Sequence, residues 1–489
     1  MFSRGVSLVS EDIHTFHSKE LLGVHCHGRE GVGVVHATGI VVHEKLVLCI
    51  AACLHVVAHV DDVAVQDYRS GVRVGKADLG LAAFLQPFFY AYQRLAQIAE
   101  RGKLDAVFFA DGAAVGNVSD GSPWFMEPLT ALAAMSQATE KIGLISTISS
   151  TFFTPFHAAR MLASLDHISK GRIGWNVVTS MFDEEARNHG YQAMPPHAER
   201  YRRAEEFVNT VLALWDSWQD DALLLDRQGH YAHPDRVRPI QHEGEFFLVD
   251  GPLIVPRPPQ GHPVLFQAGA SEQGRTLAAQ CAEAIYAVAY DLPTSQSYYR
   301  DVKQRVRAAG RTAAVPIMPG LVTYVAATEE EARAKQRELD ELLPVEASLR
   351  QLGSFIGQDC MDWELDAPVP PLPPASEFTG PQGRYRTMLR IIETEQPTLR
   401  QLLGRIAAGG GHCTMLGTPE QIADQMEHWF RNDGADGFNL MPPSLPGGIE
   451  DFVEQVIPEL QRRGLFRTEY SGTTLREHLG LQRPAFPAT

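Results

Sequence analysis

The feature that most narrows the fold is a rhythm. From residue 90 onward, short apolar runs alternate with amphipathic segments, one after the other. "AYQRLAQIAERGK" has the spacing of a helix stopped by Gly102, and "DAVFFADG" follows as a short buried strand. Helix "EPLTALAAMSQATEK", strand "IGLISTIS" and helix "PFHAARMLASLDHIS", with Pro155 at its start, continue the pattern. Strand "RIGWNVVTS" and a helix over 198–216 come next, then an insertion with a hairpin in "GEFFLVDGPLIV". Strand "PVLFQAG", helix "SEQGRTLAAQCA", strand "AIYAVA", a helix over 294–309 and strand "GLVTYVAA" resume the alternation. Thr328 and Glu331 form a capping box opening "TEEEARAKQRELDELL". "GADGFNLMPP" supplies a last strand, and "IEDFVEQVIPELQRRG" a last helix. Strict β–α alternation dictates a parallel sheet, and over this length we expect a closed (β/α)8 TIM barrel. No G-x-G-x-x-G follows the early strands, which argues against an open dinucleotide-binding sheet.

The stretch from 343 to 415 interrupts the rhythm with the Pro-rich "DAPVPPLPPASEFTGPQG" and the Gly-rich "AAGGGHCTMLGT". It reads as an insertion, either lying over the barrel mouth or looping out on the surface. Residues 482–489 read as a tail. A net charge of −16 excludes the basic surface that nucleic-acid binding needs. "LVLCIAACLHVVAHV" (46–60) is broken by His55 and His59 and is too short to cross a bilayer. We therefore expect no membrane partner and a cytoplasmic location, with the six cysteines as free thiols.

Active sites of such barrels collect at the C-terminal ends of the strands. Asp111 ends "VFFAD". Thr147, Ser149 and Ser150 end "GLISTISS". Asn176, Thr179 and Ser180 lie in "WNVVTS", and Ser271 follows "LFQAGA". Singly, Ser or Asp at a strand–helix junction is commonly a helix cap; together they line one rim. Asn176 poses a sharper question, because a buried amide left without partners costs about 1–3 kcal/mol. Ser271 stands at a helix N-terminus among small residues, a place suited to phosphate. His197 and Tyr201, four apart in "HAERY", share one helix face.

"FFADG", the run from "EPLTALAAMSQATEK" through "GRIGWNVVTS", "PPHAERYRRAEEF" and "PVLFQAGASEQGR" resemble the bacterial-luciferase-like flavin monooxygenases. Within that superfamily they are similar to the branch of nitrilotriacetate, EDTA and dibenzothiophene-sulfone monooxygenases, as is the C-terminal "DGFNLMPPSLPGGIEDFVEQVIPELQRRGLFRTEYSGTTLREHLG". The likeness implies a luciferase-like barrel over 91–481, with the insertion near 343–415. It implies a two-component enzyme in which a separate NAD(P)H:FMN reductase supplies reduced FMN. Oxygen from O2 would reach a small organic substrate, containing C–N or C–S bonds and of xenobiotic type, through a C4a-peroxyflavin. By position within the matching motifs it implies flavin contacts from Asp111, Thr147, Asn176, His197, Tyr201 and Ser271. It names no catalytic acid or base, and by analogy of fold a homodimer is expected. The alternatives are a deazaflavin-dependent oxidoreductase of the same fold and a non-catalytic flavin-binding protein.

Residues 1–90 do not fit the resemblance. They hold eight of the 19 histidines and half of the six cysteines, in segments such as "HCH" and "HVVAH". His55 and His59 would share a helix face, but "HVVAH" lacks the Glu of a zinc-hydrolase motif, so we assign no metal site. A third alternative, a His-rich metal hydrolase, rests on residues 25–59 alone. We expect this segment to derive from a misassigned start or a reading-frame slip. The first barrel strand and the substrate-side His would then be missing or replaced, which puts catalytic competence in question.

Overall fold

The computed structural model describes residues 46–51, 81–115, 126–227, 229–378 and 382–487. The segments that read as apolar runs form strands β1 (Val47–Ala51), β2 (Ala106–Phe109), β3 (Gly143–Ser149) and β4 (Ile173–Val178). A small antiparallel hairpin follows, β5 (His242–Glu243) and β6 (Leu248–Val249). Then come β7 (Val264–Gln267), β8 (Ala284–Ala287), β9 (Ile317–Val325), β10 (Cys413–Gly417) and β11 (Gly437–Leu440). Eight of these close into one parallel ring, in the order β9-β11-β1-β2-β3-β4-β7-β8 and back to β9. The strands are buried on both faces, one against the barrel interior and one against the surrounding helices, so their sequences are nearly continuous apolar runs. The (β/α)8 barrel read from the sequence is therefore the fold.

Of the two alternatives for the first strand, missing or replaced, its position in the ring is filled: "VLCIA" pairs with β11 on one side and β2 on the other, and the barrel is complete. Buried Leu46 and Leu48 and backbone bonds from Leu46 to Leu465 and from Val47 to Asp436 hold it there. The hairpin lies earlier than its apolar pattern suggested, with Gly244–Phe247 as its turn and Leu248–Val249 as its second arm. The remaining histidine and cysteine motifs of the first 90 residues, including Cys26, Cys53, His55 and His59, lie outside the described residues. Among those described, Cys49, Cys281, Cys360 and Cys413 are free thiols, and no helix is long and apolar enough to cross a membrane.

The helices are α1 (Leu81–Arg101), α2 (Pro128–Ser136), α3 (Pro155–Ser169), α4 (Asp183–Asn188), α5 (His197–Trp215), α6 (Glu272–Cys281), α7 (Leu292–Ala308) and α8 (Glu329–Glu341). Their ends follow the local chemistry. Thr154 caps α3 ahead of Pro155, Asp291 caps α7, and Thr328 with Glu331 forms the capping box of α8. Each cap is worth about 1 kcal/mol.

The interruption at 343–415 is a helical unit with its own core. α9 (Val345–Ile356), α10 (Gln382–Glu395) and α11 (Leu399–Gly409) bury Leu349, Leu352, Tyr385, Met388, Leu402 and Ile406 against one another. The unit is fastened to the loop after β8, where Arg390 meets Asp291 at 3.0 Å and Tyr290 bonds Glu395. The insertion is thus anchored beside the C-terminal end of β8.

At the opposite end the barrel is plugged. Leu475 and Leu479 enter it from the C-terminal segment and pack with Val47, Cys49, Ala106, Phe108, Ile145, Val264 and Phe266. Leu475 occupies space left by two glycines: a Cβ at Gly143 would stand 2.4 Å from it, and one at Gly174 3.0 Å. Buried Asp105 ties the same end, accepting from the Leu48 amide at 2.7 Å and pairing with Arg467. Truncation of the plug by Leu475→Ala should lower stability by about 2–5 kcal/mol, read as a fall in the urea midpoint at unchanged m-value.

Candidate active site

Period-two alternation sorts the residues of β4 onto two faces. Trp175 points outward and packs against Phe207 and Trp215 of α5, with ring centroids 6.2 and 5.7 Å away. Gly174 and Asn176 point inward. On β3 the inward positions are Ile145, beside the Leu475 plug, and Thr147 one layer higher. The ladder sets Thr147 directly opposite Asn176, and Asn176 opposite Phe266 of β7.

This interior layer contains an orphan. Asn176 donates through Nδ2 to Thr147 Oγ1 at 3.1 Å, while its Oδ1 is buried without a hydrogen-bond partner. The bond to Thr147 fixes the orientation of the amide and leaves its oxygen as a buried acceptor without a donor. Asn439 Oδ1 on β11 is likewise buried and unpartnered. Beneath them lies an aromatic floor, with Phe108 6.0 Å from Phe266 and 5.6 Å from Tyr286, both edge-on.

The second group assembles on the rim. Ser271 caps α6 by accepting from the Gly274 amide at 3.1 Å, and its hydroxyl stands 3.3 Å from that of Tyr201. His197 is the first residue of α5, exposed, its ring 4.8 Å from Tyr201. Burial and the neighbouring Arg200 hold its pKa below the ordinary histidine value. Arg200 ties this helix start to the exit of β4 by donating to the Ser180 carbonyl, and it also donates to Pro195 at 3.0 Å. Two hydroxyls beside the first turn of a ten-residue helix make a cradle for a phosphate-sized anion.

Asp111 follows β2 and accepts from the Gly112 amide at 2.9 Å. Desolvation raises its pKa, and the nearby carboxylates of Glu127 and Glu185 add to the rise. The structure thus joins Thr147 to Asn176, and His197 to Tyr201 and Ser271, while no contact links Asp111 to either group among the described residues. The other rim hydroxyls are spent on the loops themselves: Ser180 bonds Ser149 at 2.9 Å, and Ser150 bonds the Val178 carbonyl at 3.0 Å.

Sequence reasoning missed a third group. His412, two residues after Gly410, folds back over β9, where a Cβ at Gly320 would stand 2.3 Å from its Nδ1. The imidazole therefore fills the inward place that Gly320 leaves empty. It stacks on Tyr286 at 5.3 Å, with Nε2 3.0 Å from the Tyr286 hydroxyl and Nδ1 buried without a partner. Alternation in "AIYAVA" is a signal for Tyr286 as an inward residue, and Gly320 stands as a gap in an apolar strand. The long-range partner from the insertion carries no such signal. Burial first, and then the charge of Arg384, push the His412 pKa down to about 3.

The profile of the luciferase-like monooxygenases matches residues 85–437. The chain is 45% identical over 409 residues to nitrilotriacetate monooxygenase component A of Aminobacter aminovorans, covering 80% of this chain and 90% of that one. It is 44% identical over 397 residues to N-acetyl-S-(2-succino)cysteine monooxygenase of Bacillus subtilis (strain 168), again covering 80% and 90%. Among solved structures, riboflavin lyase RcaE with modified FMN and riboflavin superimposes with a TM-score of 0.73 at 32% identity, covering 90% of this chain and 96% of that one.

The depressed pKa of His412 sets a direction for pH. The folded protein binds its proton less readily than the unfolded chain, whose value lies near 6.5, so the stability tied to neutral His412 is complete above 6.5 and drains as pH falls toward 3. His412→Gln should make the urea midpoint less sensitive to acid between pH 6.5 and 4, by up to about 1.4 kcal/mol per pH unit. Parallel profiles for variant and wild type would contradict this.

Proposed function

The chain belongs to the luciferase-like monooxygenase family, and on that premise we propose that it oxygenates a small organic substrate with O2 and reduced FMN, the flavin delivered by a separate NAD(P)H:FMN reductase. The observation that carries the reading is the Asn176 amide. It is held by Thr147 above an apolar floor, its oxygen aimed into the barrel and unpartnered. A buried acceptor of this kind calls for a donor from a ligand. The ring N–H groups of a reduced flavin meet that need, and the Tyr201–Ser271 cradle on the same rim suits its phosphate.

The chemistry that a bound reduced flavin supplies is two-electron activation of O2, one oxygen atom going to substrate and the other to water. The protein's part is binding, orientation and exclusion of water. Ser271, Tyr201 and the α6 N-terminus would hold the phosphate, with His197 beside them. Thr147 and Asn176 would fix the ring edge. Phe108, Phe266 and Tyr286 would keep the floor of the site dry. Asp111 would take part as a carboxyl at the exit of β2, its pKa raised so that it carries a proton more readily than an ordinary Asp. The substrate would carry a C–N or C–S bond, in keeping with the compounds named for the two relatives. A cytoplasmic homodimer is part of this proposal by analogy of fold.

Two measurements test it. With reduced FMN and 18O2, at least one of nitrilotriacetate, N-acetyl-S-(2-succino)cysteine and dibenzothiophene sulfone should yield a product carrying a single labelled atom. Label-free product, or none from any of the three, would count against the reading. Asn176→Leu should weaken reduced-FMN binding about tenfold, the loss of one buried hydrogen bond. Unchanged affinity would mean that the orphaned acceptor serves something else.

A further inference from the structure

The insertion brings a positive charge to the mouth, beside a buried neutral pair. Arg384, in the first turn of α10, keeps an exposed surface, while burial of its guanidinium against the insertion lowers its pKa. Its guanidinium lies over the Phe355 ring at 4.5 Å, with Nη1 3.3 Å from where a Cβ on Gly410 would be. Among the described residues no carboxylate pairs with it, and the ionisable group that acts on it is the Tyr286 hydroxyl. Its neighbours in the insertion differ: Arg390 is taken by Asp291 and Arg405 by Glu395. Within electrostatic reach of Arg384 stands His412, stacked on Tyr286.

These groups are continuous with the interior already described. Tyr286 contacts Phe108, Phe108 contacts Phe266, and Phe266 pairs in register with Asn176. His412 covers Gly320, whose register partner is Asn439. A molecule sitting over the aromatic floor could therefore reach Tyr286 and His412 from one side and Asn176 from the other. A chain of net charge −16 repels anions at long range, so an anion entering this mouth needs a local cation that is not already paired. Arg384 is that cation. Its planar fork matches a carboxylate in two-point contact, and its place at a helix N-terminus adds to the attraction.

We propose that Arg384, with the Tyr286–His412 pair beside it, forms the subsite that receives a carboxylate of the substrate, so that this chain selects organic acids over uncharged compounds. The inference rests on the monooxygenase site proposed above and assigns the polarity of its substrate. The guanidinium supplies charge and two donors. The Tyr286 hydroxyl and His412 Nε2 share one hydrogen bond, so the pair can supply a single uncharged donor, the Tyr286 O–H, when neutral His412 carries its proton on Nε2. The flavin phosphate has its own cradle at Ser271 and Tyr201, which makes the two anion sites separable by experiment.

The test is calorimetric titration of the full-length protein with nitrilotriacetate, N-acetyl-S-(2-succino)cysteine and dibenzothiophene sulfone, for wild type, Arg384→Met and Arg384→Lys. FMN is titrated into each variant as a control. A carboxylate compound should bind wild type, bind Arg384→Met about tenfold or more weakly, and recover part of the loss in Arg384→Lys, with FMN affinity unchanged within about twofold. Equal affinity of Arg384→Met and wild type would overturn the proposal. So would a loss confined to FMN, which would assign Arg384 to the flavin phosphate, or binding of the uncharged sulfone alone. Arg384-dependent carboxylate binding without any labelled product would support the subsite while sinking the monooxygenase reading of the site.

Discussion

Everything at this site depends on the two-residue alternation of a parallel strand closed into a ring. In β4 it sends Trp175 out to lock α5 against the wall, and Asn176 in, toward the barrel axis. A slip of one residue would bury the indole in the cavity and strand the amide among helices. The slip is blocked on both faces. Outside, Trp175 is wedged between Phe207 and Trp215; inside, Gly174 gives Leu475 the room it needs. Packing of the wall and chemistry of the interior are thus set by the same register.

That register also explains how distant parts of the chain meet. The C-terminal segment plugs one end of the barrel with Leu475 and Leu479, and the insertion closes on the other through Arg390 and Tyr290. Between them the interior grades from apolar to polar, from Phe108 and Phe266 up to Thr147, Asn176 and Asn439. Low polarability at the floor strengthens any hydrogen bond made above it, and it makes an unmade one costly. The buried oxygens of Asn176 and Asn439 are unmade bonds of that kind.

Much of this was legible in the sequence, because it is local or periodic. Alternating apolar runs gave the barrel, Thr328 and Glu331 gave a helix start, and Asn176 stood out as a polar residue inside an apolar strand. The pairs Thr147–Asn176 and Tyr201–Ser271 lie at strand ends or helix starts, where topology alone brings them to one rim. What escaped were partners joined through unrelated spacings. "VLCIA" as the first strand was hidden by an atypical setting, and the helices of the insertion by proline-rich sequence between them. His412 reaches the barrel only because Gly320 lacks a side chain, a complementarity across 92 positions that no periodicity records.

The most direct test of the account is a crystal structure of the full chain with FMN bound. The account predicts the phosphate at Ser271 Oγ, Tyr201 and the first amides of α6, with a ring nitrogen of the flavin in hydrogen-bond reach of Asn176 Oδ1. A flavin with its phosphate at Arg384, or with Asn176 still unpartnered beneath it, would contradict the assignment of the site.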